Sequence, residues 1–86
     1  MPERRETHVQ APPSLARQVN QQVLHDTENA IVRSETIITL QREVIAATER
    51  AGHDATRDQA LLTVMEHDLA KLGDWRQSLL EELSAA

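Results

Sequence analysis

The chain contains no cysteine, no phenylalanine and no tyrosine, and Trp75 is its only aromatic residue. Without cysteine there is no disulfide framework, no thiolate metal site and no thiol nucleophile. Without large aromatic side chains, a β-sandwich, a barrel or an aromatic-walled pocket has little from which to build a core. Two glycines and three prolines leave almost no turn material, which argues against a fold of many short strands. With 86 residues there is room for one small domain, near the size at which a chain can still bury a core unaided. These absences leave a few long helices.

Basic residues are also scarce, with nine Lys and Arg against fourteen Asp and Glu and a net charge of −5. Residues 1–13 are neutral overall, residues 14–51 carry −1 and residues 52–86 carry −4. Displacing counterions from phosphates needs clustered Lys and Arg, and no such cluster is present, so nucleic acid is not an expected partner. The same deficit disfavours docking on an anionic membrane. No apolar run nears the roughly 18 residues of a membrane span. Met1-Pro2-Glu3-Arg4-Arg5-Glu6 lacks the apolar core of a signal peptide. The expected location is the cytoplasm.

What the sequence does contain is helical periodicity. Residues 1–13, ending in Ala11-Pro12-Pro13, read as a disordered tail ahead of a helical domain over 14–86. Ser14 is the expected first N-cap. From there to Ala51 no glycine or proline intervenes, and apolar doublets recur every seven residues: Val23/Leu24, Ala30/Ile31, Ile37/Ile38 and Val44/Ile45. That spacing marks one face of a helix over about 14–51. The β-branched run Thr36–Leu40 is the local rival, a strand with no turn residue at either end. Gly52 suits the left-handed residue that follows a helix, and Asp54 suits the cap of the next. A second helix is expected over about 55–83. Gly73 could kink it, but the apolar phase holds from Leu72 through Trp75 to Leu79, which predicts a continuous helix. Glu81 and Glu82 sit at the unfavourable end of its dipole.

So short a turn makes the helices antiparallel, with facing residue numbers summing to about 106. Ala30 then lies opposite Trp75 or Arg76, Ser34 opposite Leu72, Gln41 opposite Met65, and Ile37/Ile38 opposite Asp68/Leu69. The fold class is all-α, an antiparallel two-helix hairpin. Its two broad apolar faces call for a second layer, most simply supplied by dimerisation into a four-helix bundle.

Written out, the central pattern is Gln41-x-x-Val44-Ile45, then Gly52-His53-Asp54, then Ala60-Leu61-Leu62-x-x-Met65-x-x-x-Leu69, closing with Arg76-x-x-Leu79-Leu80. It resembles a class of small uncharacterised proteobacterial two-helix proteins with a Q-x-x-L-I, G-H-D-T, A-L-L pattern. The resemblance covers about residues 25–83 and implies the hairpin; it carries no activity with it. Where the class has Thr after Gly-His-Asp, this chain has Ala55, with Thr56 one place later.

Chemistry-bearing constellations are few. None of the four histidines has a Glu three residues before it, as the helical di-iron motif requires, and there is no His-Glu-x-x-His. Glu49, His53 and Asp54 at the turn form the nearest thing to a metal-ligand set. Their plainer roles are favourable charge at a helix C-terminus and a cap for the next helix. No serine has a base at a recognisable spacing, and no glycine-rich loop could cradle phosphate. No catalytic residue, metal or cofactor is expected, and the protein is not expected to be an enzyme.

A polar stripe inside the apolar face is more informative. Thr27, Ser34, Gln41 and Thr48 repeat every seven residues along the first helix, and Asp68 and Arg76 fall within the apolar sector of the second. Either these groups are solvated on a loosely packed hairpin, or they form a buried polar layer that fixes register and partner. In the second case Gln41 and Asp68 should hydrogen-bond across an interface, and Arg76 should meet an acid of another chain. The residues expected in core and interface are Val23, Ile31, Ile38, Gln41, Ile45, Leu61, Met65, Asp68, Leu72, Trp75, Arg76 and Leu79. The functional expectation is a non-catalytic protein–protein interaction module that self-associates as a homodimer. The alternatives are an adaptor or chaperone for a larger helical partner, or a metal-binding regulator using the Gly52-His53-Asp54 turn.

Overall fold

Between Leu15 and Arg50 no glycine or proline interrupts the chain, and a single helix runs through the whole stretch. The computed structural model describes the backbone of residues 2–85 and the side chains of residues 15–85. Helix α1 spans Pro2–Arg50 and helix α2 spans Thr56–Ala85. The bounds of α1 thus begin ahead of the expected start at Ser14. The expected tail over 1–13 and the Ser14 cap fall outside the residues with described side chains. Helix α1 passes unbroken through Thr36–Leu40, because a strand there would have no turn residues to bound it.

The connection is built from a few hydrogen bonds. Gly52 has φ 77°, the left-handed conformation that glycine adopts without steric cost. This lets the Gly52 amide donate to the Glu49 carbonyl and the His53 amide donate to the Thr48 carbonyl, each at 3.0 Å. Together they form the Schellman arrangement that satisfies the last carbonyls of a helix. Arg50 adds positive charge in the same turn, where the dipole favours it.

The start of α2 corrects one expectation. The cap position belongs to Ala55, whose carbonyl accepts the first intrahelical bond, from the Gln59 amide at 2.8 Å. Asp54 stands one residue earlier. Its Oδ1 accepts from the Thr56 amide at 3.0 Å and from the Thr56 hydroxyl at 2.6 Å, an Asx turn feeding the helix. The two Thr56 hydrogen bonds hold the Asp54 carboxyl below its ordinary value, the hydroxyl contributing most. Ala55 is small enough to be buried where the helices converge. Gly73 leaves α2 continuous, as the apolar phase predicts.

The helices lie antiparallel along one seam. In α1 the inward residues are Asn20, Leu24, Thr27, Ile31, Ser34, Ile38, Gln41, Ile45 and Thr48, all buried or half-buried. In α2 they are Asp58, Leu62, Met65, Leu69, Leu72, Arg76, Leu79 and Leu83. Both sets alternate steps of four and three, the spacing that keeps one face of a helix against a partner. Within α1 the seam alternates strictly between Leu or Ile and a polar residue. The core is therefore thin, with Ile38 and Leu79, each 3% exposed, among its most buried members.

Candidate interaction surface

A residue immediately before a seam position lies about 100° round the helix on one side, and a residue immediately after it lies on the other. In an antiparallel pair the two preceding sides share one flank of the hairpin, and the two following sides share the opposite flank. The two flanks differ in chemistry.

The following flank is polar and cross-linked. Arg42 Nη2 donates to Glu66 Oε2 at 2.8 Å. Gln59 Nε2 donates to Glu49 Oε2 at 3.1 Å. Glu28, on the same flank, accepts from Arg76 Nε at 3.0 Å. The numbers of these pairs sum to 108, 108 and 104, which brackets the register expected from the turn. Because both ion pairs are partly solvated, each contributes at most about 1 kcal/mol. They specify which residues face each other more than they stabilise the hairpin.

The preceding flank is open and carries most of the exposed large apolar side chains, interspersed with the charged residues Asp26, Arg33, Arg57, Asp68, Lys71 and Glu82. Val19, Ile37, Leu40 and Val44 of α1 and Leu61, Val64 and Trp75 of α2 lie there, each about half exposed. Of the exposed large apolar side chains described, only Leu15 and Val32 lie elsewhere. Midway along, Ser34, Ile37, Ile38, Met65 and Asp68 line an open groove of about 180 Å³. The doublets in the sequence now have a structural meaning. The second member of each, Leu24, Ile31, Ile38 and Ile45, enters the seam, while the first, Val23, Ala30, Ile37 and Val44, lies on this flank.

Several expected roles are reassigned. Trp75 is 51% exposed and is not the core residue facing Ala30 inside the seam; the inward position belongs to Arg76. The reason is phase: the four–three alternation from Leu69 through Leu72 reaches residue 76, which leaves Trp75 on the open flank. Leu61 and Asp68 precede seam residues in the same way and are exposed. Val23, Ile31, Gln41, Met65 and Leu72 are half-buried, and Ile38, Ile45 and Leu79 are buried. Arg76 meets its acid, Glu28, within the same chain.

Within the polar stripe, Gln41 and Thr27 find their partners inside the chain. Gln41 Nε2 donates to the Asp58 carbonyl at 2.9 Å, and not to Asp68. Thr27, 7% exposed, returns its hydroxyl to the Val23 carbonyl of its own helix at 2.7 Å. Among the described residues no buried side-chain nitrogen or oxygen lacks a partner.

At the turn, the Glu49 carboxylate is engaged by Gln59 and the Asp54 carboxylate by Thr56. Among the described residues no three His, Asp or Glu side chains gather as a metal set. Sequence reasoning missed Arg17. No basic residue occupies the last turn of α2, and Arg17 Nη1 of α1 instead donates to the Leu83 carbonyl at 2.9 Å. It supplies from the other helix the positive charge that this C-terminus favours. Only a register that brings residue 17 level with residue 83 reveals that role.

No family model, curated protein or solved structure matches this chain. The fold and the open flank therefore carry the functional argument. Among the described residues no helix is long and apolar enough to cross a membrane.

Proposed function

We propose that this chain is a cytoplasmic, non-catalytic protein–protein interaction module that self-associates through its open apolar flank. One observation carries the reading: seven of the nine exposed large apolar side chains described lie on one flank, while ion pairs tie the helices together along the other. Singly scattered apolar residues need no explanation, but large apolar side chains gathered on one flank mark a site of association. Two helices cannot enclose both of their apolar faces, so a second layer completes the core. A homodimer supplies that layer from the same sequence and closes by two-fold symmetry.

Sedimentation equilibrium tests the reading. A dimer at low micromolar concentration is expected, and a folded, fully helical monomer under those conditions overturns it. The adaptor alternative draws on the Ser34–Asp68 groove, whose lining of Ile37, Ile38 and Met65 with Ser34 and Asp68 would suit an amphipathic helix of another protein. A stable monomer that captures such a helix stoichiometrically would favour it.

A further inference from the structure

The exposed stripe of α2 has an order of charge and bulk that complements itself when reversed. Its charged members are Arg57, Asp68, Lys71 and Glu82, each preceding a seam residue and each exposed. Reversing the helix about the midpoint between Leu69 and Ala70 sets Asp68 opposite Lys71 of a second copy. The same reversal sets Arg57 opposite Glu82. Every charge on the stripe thus meets one of opposite sign, and two-fold symmetry repeats each pair. Of the uncharged members, Trp75 falls opposite the apolar Val64, and Leu61 falls opposite the small Ser78.

We propose, resting on the self-association reading above, that the second copy lies antiparallel on this stripe about a two-fold axis between Leu69 and Ala70. The occupant is a second copy because the complementarity is between the stripe and its own reverse, which an unrelated partner would have no reason to share. The area is adequate too. Trp75, Val64 and Leu61, flanked by Ile37, Leu40 and Val44 of α1, are each about half exposed. Doubled across the axis, they offer apolar surface on the order of the roughly 1,000 Å² that a specific interface needs. The charges of the corresponding α1 stripe, Asp26 and Arg33, lie outside these pairs. Charge matching of this kind sets register and orientation more than affinity.

A charge swap tests the register. D68K sets two lysines against each other at both ends of the central pair, and K71D sets two aspartates there. Each variant alone should dimerise about tenfold or more weakly than wild type, because like charges meet twice. Mixed one to one, the two variants should recover wild-type affinity as a heterodimer, in which every pair is again opposite. Both positions are exposed in the hairpin, so circular dichroism should show unchanged helicity. Full-strength dimerisation of D68K alone, or no recovery on mixing, overturns the register while leaving self-association in place. A monomeric wild type overturns both.

A second measurement uses the fact that Lys71 is the only lysine in the chain. A carbodiimide joins a carboxylate directly to an amine. The covalent dimer should therefore contain a Lys71–Asp68 junction, and K71R should still dimerise but lose that junction. A covalent dimer joined only elsewhere overturns the arrangement.

Discussion

At Gly52 the backbone passes through φ 77°, whereas Gly73 lies in the body of α2, and an added methyl would meet no atom within 4 Å at either position. Sterics therefore cancel from the comparison, and only backbone conformation remains. Gly52→Ala forces an L-residue into the left-handed region and should cost about 1–2 kcal/mol. Gly73→Ala places a better helix former in a helix and should gain about 1 kcal/mol. Urea unfolding of the two variants at one fixed protein concentration should give shifts of opposite sign. A Gly52→Ala chain as stable as wild type would mean that the Schellman turn does not govern the connection. The resemblance pattern noted in the sequence is explained at this scale too. Gln41, Ile45, Leu62, Met65, Leu69, Arg76 and Leu79 are seam residues, and Gly52-His53-Asp54 is the turn, so most of its spacing follows the hairpin.

Each helix divides its apolar residues between the seam and the open flank. In α1 the adjacent pair Ile37 and Ile38 shows the division, since Ile38 is 3% exposed in the seam and Ile37 is 51% exposed on the open flank. Ile38→Ala removes a buried side chain and should destabilise the hairpin by about 2–5 kcal/mol. Ile37→Ala should cost the hairpin much less and act mainly by weakening self-association. Chemical denaturation across a range of protein concentrations separates the two. The Ile38→Ala loss should persist at every concentration, and the Ile37→Ala loss should grow as the dimer becomes populated. Equal effects at all concentrations would show that Ile37 contributes only within one chain. The polar residues alternating with the aliphatics in the α1 seam explain why the hairpin core is thin.

For the whole molecule, the single tryptophan provides a test of the proposed assembly. Trp75 is half exposed in the hairpin and sits on the proposed dimer stripe opposite Val64 of the second copy. Its emission should shift to the blue as concentration rises through the dimerisation range, and the shift should be absent in D68K alone at the same concentration. An emission maximum independent of concentration in a protein shown to dimerise would place the interface away from Trp75. Trp75→Ala should accordingly weaken the dimer more than it unfolds the hairpin, unlike deletion of a wholly enclosed aromatic.

The sequence by itself determined the helical class, the turn at Gly52 and the antiparallel register, and favoured the continuity through Gly73 that the structure shows. All of these follow from local rules: a long stretch free of glycine and proline, a seven-residue repeat, and a glycine placed where φ must be positive. Only the tertiary structure decided how each apolar doublet is divided between seam and flank. Adjacent residues differ by about 100° round a helix, and a one-residue choice of phase cannot be read from hydropathy when both members are apolar. That choice moved Trp75 from the expected core to the open flank and put Arg76 inward against Glu28. It also assigned Arg17 to the distant C-terminus of α2, a contact across 66 positions in the chain. The polar stripe was visible in the sequence, but its partners were not. Whether Gln41 reaches Asp68 or the Asp58 carbonyl depends on where a flexible side chain finds an acceptor across the seam, and the fold settled that in favour of the backbone.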